Sequence, residues 1–189
     1  MILSQFQSVG RDLFSRGLVS SHSGNLSIRL GDNLIITRRG SRLGCLEEND
    51  LIETGINKNN RATPLASVEL PVHRAIYQRT PAQAIVHAHP PYAIALSLRE
   101  KEITPTSEWL PVTGEVPVLG WDMDTSPGSL ADIIARALED RRIVMVHGHG
   151  SFAIGQLLEE AYHITTALES NSQVGCLIKS LHVDSVPKE

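Results

Sequence analysis

Two short apolar runs that end in paired histidines constrain the fold of this chain more than any other feature. AIVHAH occupies residues 84–89 and precedes two prolines, and RIVMVHGH occupies residues 142–149. Apolar runs of this length are typical of buried strands, and prolines end a strand because they donate no ladder hydrogen bond. The segments around them have helical spacing. Strands and helices therefore interleave over one continuous core, which predicts an α/β or α+β class.

The remaining elements follow from hydrophobic spacing and turn residues. Helices are predicted over residues 1–16, 67–78, 92–98, 127–139 and 156–180. Further strands are predicted over residues 25–30, 34–37, 51–53 and 116–119. Gly31-Asp32-Asn33 separates the first two of these strands, which indicates a β-hairpin. Ser67 is expected to cap the second helix, because a serine hydroxyl can accept from free backbone N–H groups.

Length, charge and cysteine usage exclude several classes of protein. The 189 residues fit one domain spanning 1–189, and the net charge of −4 without a basic stripe argues against nucleic-acid binding. Apolar stretches stay far below the ~20 residues that cross a membrane, so no membrane partner is expected. The first residues lack the apolar core of a signal peptide, and the two cysteines have no CxxC spacing. A cytoplasmic location is therefore expected.

The two histidine pairs are candidate metal ligands. Alternate side chains of a strand share a face, so His87 and His89 project the same way and can hold one metal ion. Zinc accepts imidazole and carboxylate ligands, and a catalytic zinc keeps one position free for substrate or water. His147 and His149 form a second pair after the other apolar run. The residues leave another interpretation open, in which these imidazoles are core side chains bonded to backbone carbonyl groups.

A glutamate and two loops complete the set of candidate site residues. Glu69 and His73 lie four residues apart, on one helical face, where either can approach a metal or face solvent. Residues 20–27, SSHSGNLS, are rich in hydroxyl groups, and residues 37–42, TRRGSR, carry three arginines. Backbone N–H groups that converge near glycines, together with guanidinium groups, favour phosphate or carboxylate binding. The alternative is that both segments are ordinary turns.

Five motifs together resemble the class II aldolase/adducin family. SGNLSIR, LIITRRG, SVELPVHRAIY, AIVHAHPPYA and HGSFAIG occur in the order and spacing of that family, over residues 6–179. The chain is particularly similar to its small zinc-dependent sugar-phosphate aldolases, of the L-fuculose-1-phosphate type. The resemblance implies a single three-layer α/β/α domain around a mostly antiparallel central sheet. It also implies a phosphorylated sugar as substrate and a homotetramer with active sites between subunits.

The resemblance further implies roles for particular residues. By their position in the motifs, His87, His89 and His149 match the three ligands of one Zn²⁺ per subunit, with other divalent metals as alternatives. Glu69 matches the catalytic glutamate, and His147 is then expected to be structural. The phosphate-binding positions of the family match Gly24, Asn25, Arg39, Gly40 and Ser67.

The chain also departs from the pattern of the L-fuculose-1-phosphate-type aldolase, called the type aldolase below. His22, Arg39 and Val68 stand where that enzyme has hydroxyl-bearing residues, so the anion pocket is expected to be rebuilt. Glu108 stands where it has a tyrosine contributed by a neighbouring subunit. A glutamate at this position resembles archaeal-type aldolases and the methylthioribulose-1-phosphate dehydratases of the family. Glu108 is therefore the second predicted catalytic residue, exchanging a proton with the departing oxygen.

The resemblance implies a reversible cleavage of a ketose 1-phosphate to dihydroxyacetone phosphate and an aldehyde, through a metal-stabilised enediolate. The alternatives within the family are dehydration of methylthioribulose 1-phosphate and 4-epimerisation of a pentulose phosphate. An adducin-like interaction module without a metal stays open, as does a hydrolase that uses zinc to activate water. Bound metal would distinguish the enzymatic alternatives from the adducin-like interaction module. Hydrolysis of simple esters or amides would identify the hydrolase.

Overall fold

The structure, a computed structural model, describes residues 2–106, 108–121 and 127–181, and forms one sheet of eight strands from them. The strands are β1 (Asn25–Leu30), β2 (Asn33–Thr37), β3 (Leu51–Gly55), β4 (Ala84–Ala88), β5 (Glu102–Ile103), β6 (Val116–Leu119), β7 (Ile143–Val146) and β8 (Gly150–Gly155). Their order across the sheet is β3-β2-β1-β4-β8-β7-β6-β5. Every pairing between these strands is antiparallel except that of β6 with β7.

Helices cover both faces of the sheet. They are α1 (Ile2–Ser15), α2 (Leu70–Arg79), α3 (Pro91–Ser97), α4 (Leu110–Thr113), α5 (Pro127–Ala137) and α6 (Leu158–Leu181). Apolar side chains of α1, α3 and α6 form one core with the sheet, and those of α2 and α5 form a second core on the opposite face. This arrangement confirms the three-layer α/β/α class with a mostly antiparallel sheet. Within the described ranges, no helix combines the length and apolar character that a membrane span requires.

Strand β4 lies near the middle of the sheet and is buried on both faces. Val86 belongs to the core under α1 and α6, whereas Ile85 belongs to the core under α2 and α5. His87 shares the face of Ile85, because side chains two residues apart in a strand point the same way. The buried strand predicted over residues 84–89 is confirmed, and it ends one residue early. His89 lies beyond the sheet, where its N–H donates to the carbonyl of Leu18.

Most predicted bounds lie within two residues of the observed ones, and the start of α2 is the exception. The helix predicted from residue 67 begins at Leu70, and Glu69, rather than Ser67, occupies the capping position. The Ser67 hydroxyl accepts the N–H of Glu69 at 3.3 Å within a turn, so the predicted cap was wrong. Pro71 is accommodated in the first helical turn, because its missing N–H has no intrahelical partner there.

Strand β8 was missed by the sequence analysis. Gly150–Gly155 contains a glycine at each end and a serine, so its apolar pattern is short and interrupted. The strand nevertheless pairs with β4 on one side and with β7 on the other, and its residues are almost all buried. Tertiary pairing here overrides the weak local signal. The connection between β7 and β8 brings a histidine to the end of β4.

Candidate metal centre

Three histidines converge where β4 ends beside the β7–β8 turn. His87, His89 and His149 each offer a ring nitrogen, and these three atoms all lie within 4.8 Å of one another. The Nε2 atoms of His87 and His89 are 2.9 Å apart. Two nitrogens bound to one tetrahedral zinc are separated by about 3.3 Å, given Zn–N bonds of ~2.0–2.1 Å. The three imidazoles therefore need only small movements to share one ion.

His87 is held in the form that a metal requires. Its Nδ1 lies 2.9 Å from the carbonyl oxygen of Ser151, which can only accept a hydrogen bond. The proton is therefore on Nδ1, and the lone pair of Nε2 is directed at the other histidines. Burial lowers the pKa of His87 to about 3, despite the opposing effect of Glu69, so the ring is neutral at neutral pH. Burial, followed by the charge of His149, also lowers the pKa of His89.

The second histidine pair lies in a turn and not in a strand. His147 and His149 flank Gly148, whose φ of +64° reverses the chain between β7 and β8. His149 consequently joins the cluster, whereas the ring of His147 packs against Trp121 with 4.3 Å between ring centroids. The two members of this pair therefore have different surroundings, although the same spacing in a strand would have placed them together.

Glu69 faces the three histidines from the start of α2. Its Oε2 lies 3.1 Å from Nε2 of His87, and its Oε1 lies 3.1 Å from Nε2 of His149. Asn25 donates to Oε2 from 2.6 Å. Burial alone would raise the pKa of Glu69, but the neighbouring His87, which is charged only in acid, and the hydrogen bonds from His149 and Asn25 hold it well below its usual range. Glu69 is therefore ionised at neutral pH and lies where a cation bound to the histidines would contact it.

The histidines and Glu69 form one wall of an open cleft of about 260 Å³. This volume lies just below the ~300–1,000 Å³ of typical small-molecule sites, so the cleft suits a small ligand. All five residues predicted to bind phosphate line it, which are Gly24, Asn25, Arg39, Gly40 and Ser67. The cleft is also lined by His22, Ser23, Arg38, Ser41 and Val68.

Backbone contacts bring the two predicted phosphate loops together. Gly24 has a φ of +76°, and a side chain there would meet Val19 at 2.5 Å and the carbonyl of His87 at 2.9 Å. Only glycine fits this position without strain. On the other side, the N–H of Ser67 donates to the carbonyl of Thr37, and Arg38 forms an isolated bridge with Ala66. Residues 38–41 and Ser67 are thereby fixed next to each other.

The charge of the loops favours an anion. Arg38 and Arg39 are exposed, and the ion pairs found among the described residues engage other cations. Glu69 is the acid that lines the cleft, and its oxygens already contact histidines and Asn25. Arg38 was not singled out as a ligand by the sequence analysis, although the adjacent arginines of TRRGSR were the signal that could have found it.

Glu108 is the one predicted site residue that this cleft does not contain. It is exposed in the turn before α4 and does not line the cleft with Glu69 and the histidines. Its neighbour in sequence, Ser107, lies outside the described residues. A role in catalysis would therefore require the cleft of another subunit, as the sequence analysis expects.

Gly150→Ala is expected to weaken metal binding. A Cβ at this position would overlap the carbonyl oxygen of Ala88 and lie 2.9 Å from Cδ2 of His89 and 3.1 Å from Cε1 of His87. Both imidazoles would have to move, so zinc affinity, measured by competition with a chromogenic chelator, should fall at least about tenfold. Gly175→Ala is the control, because a Cβ there would have no neighbour closer than 3.9 Å. Equal zinc affinity in both variants would contradict the prediction.

Acid should destabilise the metal-free protein through its buried histidines. Burial lowers the pKa of His73 from 6.5 to about 4, against the opposing effect of Glu69. The unfolded chain binds this proton below pH 6.5, whereas the folded chain does not until about pH 4, so stability falls as the pH drops through this window. His73 alone should account for about 2 kcal/mol between pH 7 and pH 5.

Urea unfolding of metal-free wild type and His73→Leu at both pH values measures this contribution. The variant should lose about 2 kcal/mol less than the wild type over the interval. A loss of stability that is the same in both proteins would show that His73 is not the group responsible.

Comparison with known proteins agrees with this geometry. The family profile described as Class II Aldolase and Adducin N-terminal domain matches residues 4–175. A protein of Methanococcus maripaludis named L-fuculose phosphate aldolase is 34% identical over 189 residues, covering 96% of this chain and 99% of the relative. The crystal structure of L-fuculose-1-phosphate aldolase from Thermus thermophilus superposes with a TM-score of 0.90 at 34% identity, over 98% of each chain.

Relatives with other activities are nearly as similar. A methylthioribulose-1-phosphate dehydratase of Acidiphilium cryptum is 31% identical over 176 residues, covering 86% of this chain and 83% of the relative. A 3-oxo-tetronate 4-phosphate decarboxylase of Haemophilus influenzae is 30% identical over 175 residues, covering 88% and 82%. All of these relatives are lyases, and the chain is an enzyme of this class. With a matching profile over most of its length and a histidine cluster able to bind a metal, the chain belongs to the class II aldolase and adducin family.

Proposed function

We propose that the chain is a zinc-dependent aldolase that reversibly cleaves a ketose 1-phosphate, similar to fuculose 1-phosphate, to dihydroxyacetone phosphate and an aldehyde. The observation that carries the proposal is the convergence of three imidazoles and one carboxylate in a cleft lined by two arginines that have no acidic partner among the described residues. The chain acts in the cytoplasm as one domain over residues 1–189. The similarity to enzymes named L-fuculose phosphate aldolase supports this reaction over others.

His87, His89 and His149 would hold the zinc ion, since a set of nitrogen donors suits zinc among the available divalent metals. When bound, zinc supplies a Lewis acid that stabilises negative charge on the oxygens of the substrate. Glu69 serves as the base because it is ionised and partly buried beside these ligands. In the condensation direction it removes a proton from carbon 3 of dihydroxyacetone phosphate, and in the cleavage direction it returns that proton.

The loops bind and orient the phosphate. Gly24, Asn25, Arg39, Gly40 and Ser67 line the cleft and would contact the phosphate oxygens. Arg38 adds a second guanidinium that has no acidic partner among the described residues. Phosphate binding fixes the position of the reacting carbons relative to Glu69, which is how binding energy at a remote group contributes to the rate.

Dehydration of methylthioribulose 1-phosphate is the second candidate. It is favoured by the glutamate at position 108, in place of the tyrosine of the type aldolase, and by relatives named for this activity. Epimerisation has less support, because no pair of acid and base on opposite sides of the cleft is found among the described residues. An interaction module without metal is disfavoured by the intact histidine cluster.

A panel of phosphorylated substrates tests the proposal. The purified protein should bind about one zinc per chain and release an aldehyde from fuculose 1-phosphate, and a chelator should abolish turnover until zinc is restored. Glu69→Gln should retain zinc but lose about 10²-fold in kcat, the usual size of a general-base contribution. Glu159→Gln is the matched control, because Glu159 is exposed and remote from the cleft lining.

Two results would overturn the proposal. Near-normal turnover in Glu69→Gln would remove this residue as the base. Turnover of methylthioribulose 1-phosphate, or of a 3-oxo acid phosphate, without cleavage of any ketose 1-phosphate would replace the aldolase with a different lyase.

We further propose a homotetramer in which Glu108 acts in the cleft of a neighbouring subunit. Light scattering should then give a mass of four chains. Glu69→Gln and Glu108→Gln should each have little activity alone, but co-expression should restore about a quarter of wild-type activity, because random mixing leaves about one cleft in four with both glutamates intact. A monomer, or co-expressed variants with no recovered activity, would contradict the shared site.

A further inference from the structure

A polar ladder joins strand β1 to helix α2 behind the candidate metal centre. Its members are Asn25, Ser27 and Arg29 of β1 and Glu69, His73 and Tyr77 at the start of α2 and within it. We call these six residues the β1–α2 ladder. Only its first pair, Asn25 and Glu69, lies in the cleft, so the metal centre alone does not explain the other four residues.

Each of the three ladder residues of β1 bonds to α2 or to its capping residue Glu69. Asn25 donates from Nδ2 to Oε2 of Glu69 at 2.6 Å. The hydroxyl of Ser27 lies 2.6 Å from Nδ1 of His73 and 2.7 Å from the hydroxyl of Tyr77, so that it bridges two turns of α2. Arg29 donates to the backbone carbonyl of Tyr77, and its guanidinium lies 5.1 Å from the centroid of the tyrosine ring.

The residues of β1 and α2 can contact each other pairwise because their spacings along the strand and along the helix are nearly equal. Residues 25, 27 and 29 share one face of β1 and are spaced by about 6.6 Å, at 3.3 Å per residue. Residues 69, 73 and 77 form one stripe along α2 and are spaced by about 6 Å, at 1.5 Å per residue. A shift of β1 by one residue would present Leu26, which belongs to the core on the opposite face. The polar contacts therefore allow a single register of α2 on the sheet.

Stability does not account for these polar residues. Ser27 and His73 are fully buried, Tyr77 is 2% exposed, and Nε2 of His73 has no hydrogen-bond partner within the described part of the chain. Apolar residues of similar volume would pack between sheet and helix at least as favourably, since buried polar groups often gain little net free energy. What polar contacts do provide is a fixed register.

We infer that Ser27, His73 and Tyr77 are positioning residues for Glu69. They hold α2 in register on β1, and β1 is itself paired with β4 so that Asn25 lies beside His87. Because of this chain of contacts, the carboxylate of Glu69 stays on Asn25, His87 and His149. The consequence for catalysis rests on the proposed role of Glu69 as base, whereas the consequence for its position does not.

His73→Leu tests the inference, with Ile76→Val as the matched control. Ile76 is fully buried on the same helix and belongs to the apolar core, so its truncation disturbs α2 without touching the ladder. Crystal structures of the zinc-loaded proteins should show the 2.6 Å contact between Asn25 and Glu69 broken in His73→Leu and kept in Ile76→Val. The kcat of His73→Leu should fall at least about tenfold with KM within about twofold, because a displaced base slows chemistry more than binding.

Conservative variants separate positioning from a loss of folding. Tyr77→Phe removes a single hydroxyl and should lower kcat in the same direction by a smaller factor. His73→Gln retains a group that can bond to Ser27 and should recover part of the activity lost in His73→Leu. Should His73→Leu fail to fold, Tyr77→Phe and Ile76→Val provide the same comparison.

The inference is overturned if Glu69 keeps its contact with Asn25 in His73→Leu, or if the kcat values of His73→Leu and Tyr77→Phe equal that of Ile76→Val. Failure of the proposed function has a different signature. In that case the wild type cleaves no ketose 1-phosphate, and the crystal structures alone decide whether the ladder positions Glu69.

Discussion

The pairing of β4 with β1 on one side and with β8 on the other is the constraint on which the site depends. In this register His87 lies opposite Asn25 on β1 and opposite Phe152 on β8. The neighbouring Ser151 then offers the carbonyl that fixes the tautomer of His87. A slip of one residue would turn His87 towards the other core, since the side-chain period of a strand is two. The placement of the candidate metal ligands is therefore a consequence of strand register.

Burial of His87 and the close packing of the candidate ligands cost the folded protein stability. His87 is almost completely buried, and its pKa is low because protonating the ring there costs free energy. Oδ1 of Asn25 has no hydrogen-bond partner among the described groups, and Gly150 leaves a gap where the two histidine rings lie. A bound cation would contact the imidazoles and Glu69 together and would offset their mutual crowding. Metal binding and folding are consequently expected to be coupled.

The sequence predicted the fold class and the histidines that converge, because both depend on local period and on motifs. Strand β4 followed from a continuous apolar run, and His87 with His89 followed from alternation within it. The sequence analysis missed β8, whose glycines give it no clear apolar period. Spacing alone also did not separate His147 from His149, because the pair lies in a turn whose direction depends on Gly148. The contact between Ser27 and His73 could not be predicted from the sequence, since 46 residues separate them.

The histidines and Glu69 do not by themselves select one reaction. Relatives named as aldolase, dehydratase and decarboxylase are all 30–34% identical to this chain over most of its length. Cleavage, dehydration and decarboxylation each place negative charge on an oxygen next to the carbon that reacts, so one cation and one base can serve all three. The choice must then come from groups that contact the rest of the substrate. The cleft offers Arg38 and Arg39, His22, and the exposed Val68 as candidates for this role. If the cleft binds a sugar phosphate as proposed, their charge and shape, rather than the candidate metal ligands, would determine which bond of that substrate lies next to Glu69.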